Sequence, residues 1–551
     1  ATTIAAAHST IASNLAGDEG GGVMMAAAGG TITLNHTIVA DNFAATARDV
    51  SSVDAVVFDH GWVENAAGFT PTGGLQFIGS DPRLTPLADH GGATLTHALE
   101  VSSPAIDVGN LFFSPPPSND QRGAPFVRVF DGDGDATPRI DIGAYERQVL
   151  PGLNLTVDAT SDLVDGNFSA GNLSLREAVS LANGSIGADN ISFAPALSGS
   201  SIVLLQGQLT ITETVAIDAM ALAENVVVDA SGSDPTPELN QGDGSRLFFV
   251  SDNDAGSNLT ALLAGLELTG GDVDGAGGAI FSLEHLEINE STIRNNAAFN
   301  GNGGGVLVND RTLVVSGSTI SNNHAHSGGG IALRTGDLTL MNSTVSSNTA
   351  SGQGGGIYGA SGSVLDIRHS TVSDNLAETE AGGGIRASSN VALTVNHTIV
   401  ANNQANSAPD ISAVETAAMT YSLVEDASGF AFIGSPNITG QDPSLGPLAD
   451  NGGPTNTHAL LDGSAAIDAG EFGIASPPDF DQRGAPFSRI VANLGAFEVI
   501  DIGAFEVQQT SGADFDLDGD KDGRDFLLWQ RGFPTLVGAE KSDGDADDDA
   551  D

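Results

Sequence analysis

LEINESTIRNN (286–296), LVVSGSTISNN (313–323), LTLMNSTVSSN (338–348), LDIRHSTVSDN (365–375) and LTVNHTIVANN (393–403) are five versions of one line. Aligned on their final asparagines, Asn296, Asn323, Asn348, Asn375 and Asn403, they recur at spacings of 27, 25, 27 and 28 residues. A period of this size, made of strands and turns with almost no helical pattern, marks a solenoid. Period-two alternation turns one set of side chains inward. Three aliphatic columns result: Ile293, Ile320, Val345, Val372 and Val400; Leu286, Leu313, Leu338, Leu365 and Leu393; and, after the glycine clusters, Ile280, Val306, Ile331, Ile357 and Ile385. Wound once per repeat, each column stacks on itself about 4.8 Å apart. The clusters Gly303–Gly305, Gly328–Gly330, Gly354–Gly356 and Gly382–Gly384 suit corners that need positive φ or close backbone approach. The asparagine column reads as an amide ladder, each side chain bonding its own turn and the Asn of the next coil.

Working outward, a larger duplication appears. TLNHTIVADN near Asn42 matches TVNHTIVANN near Asn403, PLADHGGATLTHAL matches PLADNGGPTNTHAL, and NDQRGAPFVR matches FDQRGAPFSR. The offset is 361 residues for Asn42/Asn403, His97/His458, Asp107/Asp468, Asp120/Asp481 and Arg122/Arg483, and 360 for Asp141/Asp501 and Glu146/Glu506. Residues 1–150 are therefore expected to be the end of a first unit, and 151–508 a complete second unit. That second unit holds a cap helix at about 173–183, coils at about 200–405 and a terminal domain at about 406–508. Residues 509–551 form a separate acidic tail, and both ends of the chain read as cut from something longer. A solenoid end must be covered. LSLREAVSLAN fits such a cap: Ser174 and Glu177 have capping-box spacing, Leu175, Val179 and Leu181 give an apolar side, and Asn183-Gly184 supplies a stop.

The bulk composition narrows function. The 551 residues carry 70 acidic against 19 basic side chains, a formal charge of −51. Such a surface repels nucleic acid and anionic membranes, so neither is an expected partner. There is no cysteine, hence no disulfide and no thiolate ligand or nucleophile. No segment has the roughly 18 apolar residues of a membrane span.

The tail carries the best ligand pattern. In DFDLDGDKDGRD, Asp514, Asp516, Asp518, Asp522 and Asp525 fall at loop positions 1, 3, 5, 9 and 12, with Gly519 at the sharp turn and the Asp520 carbonyl at position 7. Hard oxygens at this spacing favour calcium, and FLLWQRGF (526–533) suits a helix packing back on the loop. A solvated acidic tail is the bland alternative. A second loop begins at Asp543, Asp545 and Asp547 but has Asp548 where the glycine belongs. FDGDGDATPRID offers a weaker set, Asp131, Asp133 and Asp135 with Asp141 nearby; a plain turn explains it equally well.

These motifs resemble a known assemblage. LSLREAVSLAN is similar to the CSLREA domain of secreted bacterial β-helix proteins, with Leu173 in place of the cysteine. The coils resemble pectin-lyase-like right-handed parallel β-helices, including polymorphic outer-membrane-protein repeats. DNGGPTNTHAL, SAAIDAG, DQRG and DIGAFE resemble the choice-of-anchor Q domain, found at the end of both units. The tail resembles a dockerin-like calcium module of the kind seen in planctomycete surface proteins. The resemblance implies an all-β fold of two tandem right-handed parallel β-helix units with a small calcium-loop and helix module. It also implies an extracellular or bacterial cell-surface location, and a cohesin-like docking partner for the tail.

Two functional classes follow. One is a non-enzymatic adhesion or carbohydrate- and matrix-binding protein. The other is a polysaccharide lyase or glycoside hydrolase on the same fold, which alone decides nothing. A lyase could use Arg122 or Arg483 as base beside Asp120 or Asp481, yet their place at the terminus of each unit reads as an ion pair pinning the end. The coil acids Glu284, Glu287, Glu290, Asp337 and Asp366 are scattered and form no evident catalytic pair. Lysine is absent from the coils, and no catalytic residue is assigned. His8, His36, His369 and His397 share one column, expected at the surface or partly stacked.

Overall fold

The computed structural model describes residues 2–508 except 66, 89, 101–102, 111–114, 125, 133–136, 149–151, 186, 238, 255–258, 472–476 and 493–497. It forms two compact units: Ala1–Val203 with Leu209–Leu222 and Val250–Ala261, and Leu204–Gln208 with Ala223–Phe249 and the chain from Leu262 onward.

In the second unit each coil passes through three parallel sheets. The first sheet takes two strand segments per coil, such as Ile357–Gly359 and Val364–Arg368; in two coils they fuse into Val306–Ser316 and Ile331–Met341. The second takes the short Ser-Thr strands, Thr292–Arg294 through Ile399–Ala401. The third takes Ala297–Asn302, His324–Ser327, Thr349–Gln353, Leu376–Ala381 and Gln404–Ser407.

The aliphatic columns pair residue for residue. Leu286, Leu313, Leu338, Leu365 and Leu393 are successive partners, as are Ile280, Val306, Ile331, Ile357 and Ile385 in the same sheet. Ile293, Ile320, Val345, Val372 and Val400 line the second sheet. All are buried, and each contributes about 1.5–3 kcal/mol of burial. The third sheet has an inward column of its own in Ala298, Ala325, Ala350 and Ala377.

In the coils between residues 286 and 403 the corners use left-handed residues. Glu290, Gly317, Asn342, His369 and His397 turn the chain from the first sheet to the second with φ between 45° and 57°. Asn295, Asn322, Ser347, Asp374 and Asn402 make the next corner at φ 55–59°. Asn, Asp and His tolerate this conformation better than other side chains, which accounts for the composition of these columns. At the third corner the first glycine of each cluster has positive φ (Gly303 71°, Gly328 64°, Gly354 65°, Gly382 74°). The second glycine is needed for closeness: a Cβ at Gly304 would strike the carbonyl oxygens of Gly329 and His324.

The first unit repeats this plan in Thr3–Ala7, Thr31–Asn35, Ala55–Asp59 and Thr70–Gly73, over a core of Val23, Ile32, Leu34, Val39, Val50, Val56, Phe58 and Val63. This compact unit runs past the sequence boundary at residue 150, so it also contains the one α-helix found among the described residues, Leu175–Asn183, the segment expected as the cap of the second repeat. Ser174 caps it, and both halves of the capping box with Glu177 are formed. Leu175, Val179 and Leu181 are buried beneath it. Gly184 ends the helix with φ −87°, a right-handed conformation, so positive φ is not what selects glycine there. A Cβ at Gly184 would strike the His90 carbonyl and lie 3.0 Å from the Phe126 ring; close approach is the reason.

Each unit's terminal segment does more than end the last coil. In the second unit it runs back along the second sheet. Gln482 bonds Thr319 (2.9 Å) and Thr344 (2.6 Å), Thr455 bonds the Gly317 carbonyl (3.0 Å), and His458 meets Ser346 Oγ (2.9 Å). Ala504 N donates to Thr371 Oγ1 at 3.1 Å. In the first unit Ala144 N likewise donates to Thr10 Oγ1 at 3.0 Å. The Ser-Thr face is thus covered, and the first and third sheets remain as lateral faces of the second unit.

Candidate functional site

Beside a stack of corner serines, in which Ser291 N donates to Ser318 Oγ, Ser318 N to Ser343 Oγ and Ser343 N to Ser370 Oγ at 3.1–3.3 Å, the recurring polar residues fall into three sets. The first is the amide ladder. Each Asn Oδ1 accepts both the backbone N–H and the Nδ2 of the Asn one coil earlier: Asn296 to Asn323, Asn323 to Asn348, Asn348 to Asn375 and Asn375 to Asn403, at 2.9–3.0 Å. Each Nδ2 also donates to a strand carbonyl of the preceding coil, as Asn348 does to Ile320 at 2.9 Å. The ladder ends on an acid. Asp410 Oδ1 accepts from Asn403 Nδ2 at 2.9 Å, and its Oδ2 takes the Asp426 N–H at 2.7 Å. Asp49 does the same for Asn42 and Asn65 in the first unit. A carboxylate can only accept, so it closes a chain of donors that has no further coil to continue into.

The second set is the Asp–Arg pair. Arg122 bonds Asp120 at 2.7 Å, lies between the Phe126 and Tyr145 rings at 3.7 and 3.9 Å, and donates to the Gly184 and Glu146 carbonyls at 3.1 and 2.6 Å. Arg483 repeats this with Asp481 (2.6 Å), Phe487 (3.9 Å), Phe505 (3.8 Å) and the Glu506 carbonyl (2.6 Å). Both pairs are buried. Every bond holds the terminal segment, and neither guanidinium faces a groove.

The third set is the histidine column, which is stacked, with His36, His369 and His397 buried and His8 and His60 partly buried. His8, His36 and His60 stack at 4.9 and 5.4 Å; His369, His397 and Tyr421 stack at 4.8 and 5.1 Å. The fully buried Arg128 and Arg489 reach His8 and His369 at 3.4 and 3.2 Å. Burial first, and the guanidinium second, push His397 down to about 4 and lower His369 further. The folded state therefore keeps these rings neutral, while an unfolded chain protonates near the ordinary value of about 6.5. Between about pH 6.5 and 4 the unfolded chain binds more protons, so this contribution is complete above pH 6.5 and lost as pH falls towards 4. His397→Asn, the residue type that Asn342 already provides in this column, is expected to show a stability deficit that shrinks over that window. Chemical denaturation of both proteins at stepped pH checks it, and a constant deficit contradicts it. Measuring the difference cancels the opposite trend from Glu506, which burial pushes up to about 9.

With these sets assigned to structure, a lateral cleft remains at the end of the ladder. Its volume is about 670 Å³, and it is lined by Asp374, Asn402, Asn403, Gln404, Pro409, Asp410, Glu425, Asp426, Gly440 and Asp442. Asn402 N donates to Glu425 Oε2 at 2.8 Å, which fixes one wall. Burial pushes Asp410 up to about 6, but both of its oxygens are already engaged. Sequence reasoning missed this cleft. The signal available was a further set of paired acids at the 361-residue offset: Asp49/Asp410, Glu64/Glu425 and Asp81/Asp442.

Of the sequence-expected ligands, Asp514, Asp516, Asp518, Asp520, Asp522 and Asp525 lie outside the described residues, as do Asp133 and Asp135. Asp131 is described and half-buried in the terminal segment. Among the described residues no helix is long and apolar enough to cross a membrane.

A family model described as a right handed beta helix region matches residues 264–439, the coils of the second unit. The fold is a right-handed parallel β-helix. Neither curated proteins nor solved structures gave a match. The matched span contains most of the cleft and stops three residues before Asp442.

Proposed function

We propose that this β-helix is a non-catalytic secreted or cell-surface protein that binds a hydroxyl-rich glycan or matrix polymer along its side. The observation that carries the reading is the composition of the cleft: five carboxylates and three amides line it and no basic side chain does, and with Asp410 and Asn403 engaged in the ladder, Asp374, Glu425, Asp426, Asp442, Asn402 and Gln404 are the polar side chains outside it. Carboxylates accept, and amides accept and donate, so together they match sugar hydroxyls. A uronate polymer would meet like charge there, and β-elimination would lack an Arg or Lys base in the lining. The arginines that sequence reasoning offered for that role are held in buried ion pairs. The resemblances to CSLREA, choice-of-anchor Q and dockerin-like modules favour the surface location. They also favour a calcium-dependent docking role for residues 509–551.

Asp442→Asn tests the reading. Loss of one charged hydrogen bond costs about 1.5–3 kcal/mol, so binding of neutral oligosaccharides by the full chain is expected to weaken roughly 10- to 100-fold. Calorimetry on hits from a glycan array measures it. Release of unsaturated uronides or of new reducing ends by the purified protein would replace this reading with a lyase or a hydrolase.

A further inference from the structure

We propose that Asp234, Asp243 and Asp272 bind a divalent cation of the calcium type, and that the ion fastens the segments carrying Asp234 and Asp243 to the third-sheet strand Asp272–Val273. The three carboxylates each offer an oxygen, and these oxygens lie within 4.8 Å of one another. That span is about twice a Ca–O distance of roughly 2.4 Å, so an ion can bridge any two of the oxygens and meet the third after a small inward turn of a carboxylate.

The independent sign of a missing ligand is Asp272. It is only 3 % exposed. Its Oδ2 accepts the Gln241 and Gly242 N–H groups at 3.0 and 2.9 Å, whereas its Oδ1 is buried with no hydrogen-bond partner. A buried carboxylate oxygen left bare costs several kcal/mol unless a cation or a proton meets it. Arg246, the nearest basic residue along the loop, donates instead to Gln208 Oε1 and to the Ala276 and Gly277 carbonyls.

The other two acids are already oriented. Thr236 N donates to Asp234 Oδ1 at 2.7 Å, and Thr236 Oγ1 bonds both oxygens of Asp243 at 3.0 and 3.2 Å. Two glycines let the loop close. Gly242 has φ +78°, and a Cβ on Gly244 would come 2.9 Å from both Asp234 Cβ and the Asp272 carbonyl oxygen. An all-oxygen, all-carboxylate set selects a hard ion over zinc or copper.

The tail loop at Asp514–Asp525 is a separate calcium candidate, so the test uses the full chain and reads this loop directly. Hydrogen exchange at Gln241 and Gly242 is followed with Ca²⁺ and with chelator. With Ca²⁺ at about 100 times its dissociation constant, opening of the loop is expected to be suppressed about 100-fold. Asp243→Asn and Asp272→Asn are expected to abolish that protection and to remove one bound Ca²⁺ per chain in calorimetry. Asp243 is exposed, so Asp243→Asn folds even if Asp272→Asn does not. Exchange unaffected by Ca²⁺ in the wild-type chain, or an equal number of bound ions in Asp243→Asn, overturns the proposal.

Discussion

Asn348→Ala is expected to destabilise the second unit by about 3–5 kcal/mol, far more than loss of a typical surface asparagine. The side chain accepts Asn323 N and Asn323 Nδ2 on one oxygen, both at 3.0 Å, and donates to Ile320 O at 2.9 Å and to Asn375 Oδ1 at 3.0 Å. Asn323, Asn348, Asn375 and Ile320 are all buried among the parallel coils. Alanine therefore leaves at least one donor and one acceptor unmet, at about 1–3 kcal/mol each, and opens a small cavity beside them. Asn348→Asp has the same size but no donor, so it sets a carboxylate oxygen against the Ile320 carbonyl. It is expected to be at least as damaging at neutral pH and to recover in acid as the carboxyl takes up a proton. At Asp410 the preference is reversed, because Oδ2 there faces the Asp426 N–H. Asp410→Asn should therefore cost about 1–3 kcal/mol. Denaturant titration gives the totals. Since stacked coils can lose cooperativity, hydrogen exchange at 320–350 shows whether the damage is local. A loss under about 1 kcal/mol for Asn348→Ala would mean that the ladder is ornamental.

The ladder was legible in the sequence because each coil contributes one identical residue at one period. The same holds for Leu286 to Leu393 and for Ile280 to Ile385, whose pairing follows directly from the spacing. What escaped lacks a period. The third sheet's alanines are too small and too common to mark a column. Asp410 stands 7 residues after Asn403 rather than one coil later, so its role as terminator depends on a chain reversal the motif does not announce. The return of the terminal segment over the Ser-Thr face is carried by contacts such as Gln482 to Thr319, 163 residues apart. That return explains why the Thr319, Thr344 and Thr371 side chains are buried: Gln482 and Ala504 of the returning segment bond their hydroxyls. The Ser-Thr face is therefore occupied by the chain itself, which leaves the first and third sheets to meet a ligand. Asp234, Asp243 and Asp272 meet from two separate segments, and their sequence pattern is no loop motif at all.

The second large effect concerns the clamp that holds the returning segment. Arg483→Ala is expected to cost about 3–5 kcal/mol, because it strands the buried Asp481 carboxylate. Asp481 would keep the Glu506 N–H at 2.8 Å but lose Nε at 3.0 Å and Nη2 at 2.6 Å. The Phe487 and Phe505 rings would lose the plane packed between them. Arg483→Lys should be nearly as harmful. An ammonium can reach the carboxylate, but it cannot fill the flat slot between two rings or bond Asp481 and the Glu506 carbonyl as a fork. The informative comparison is the double change Asp481→Asn with Arg483→Met, which removes both charges and keeps most of the volume. If the penalty comes mainly from an unpaired buried charge, the double variant should recover a large part of the single variant's loss. Calorimetric unfolding of the three proteins decides it. A double variant no better than Arg483→Ala would place the energy in the ring stack and the carbonyl bonds. Either result reads the pair as a clamp. Neutral-glycan binding in the cleft should persist in Arg483→Lys wherever the chain is folded, since the cleft lining from Asp374 to Asp442 includes neither clamp residue.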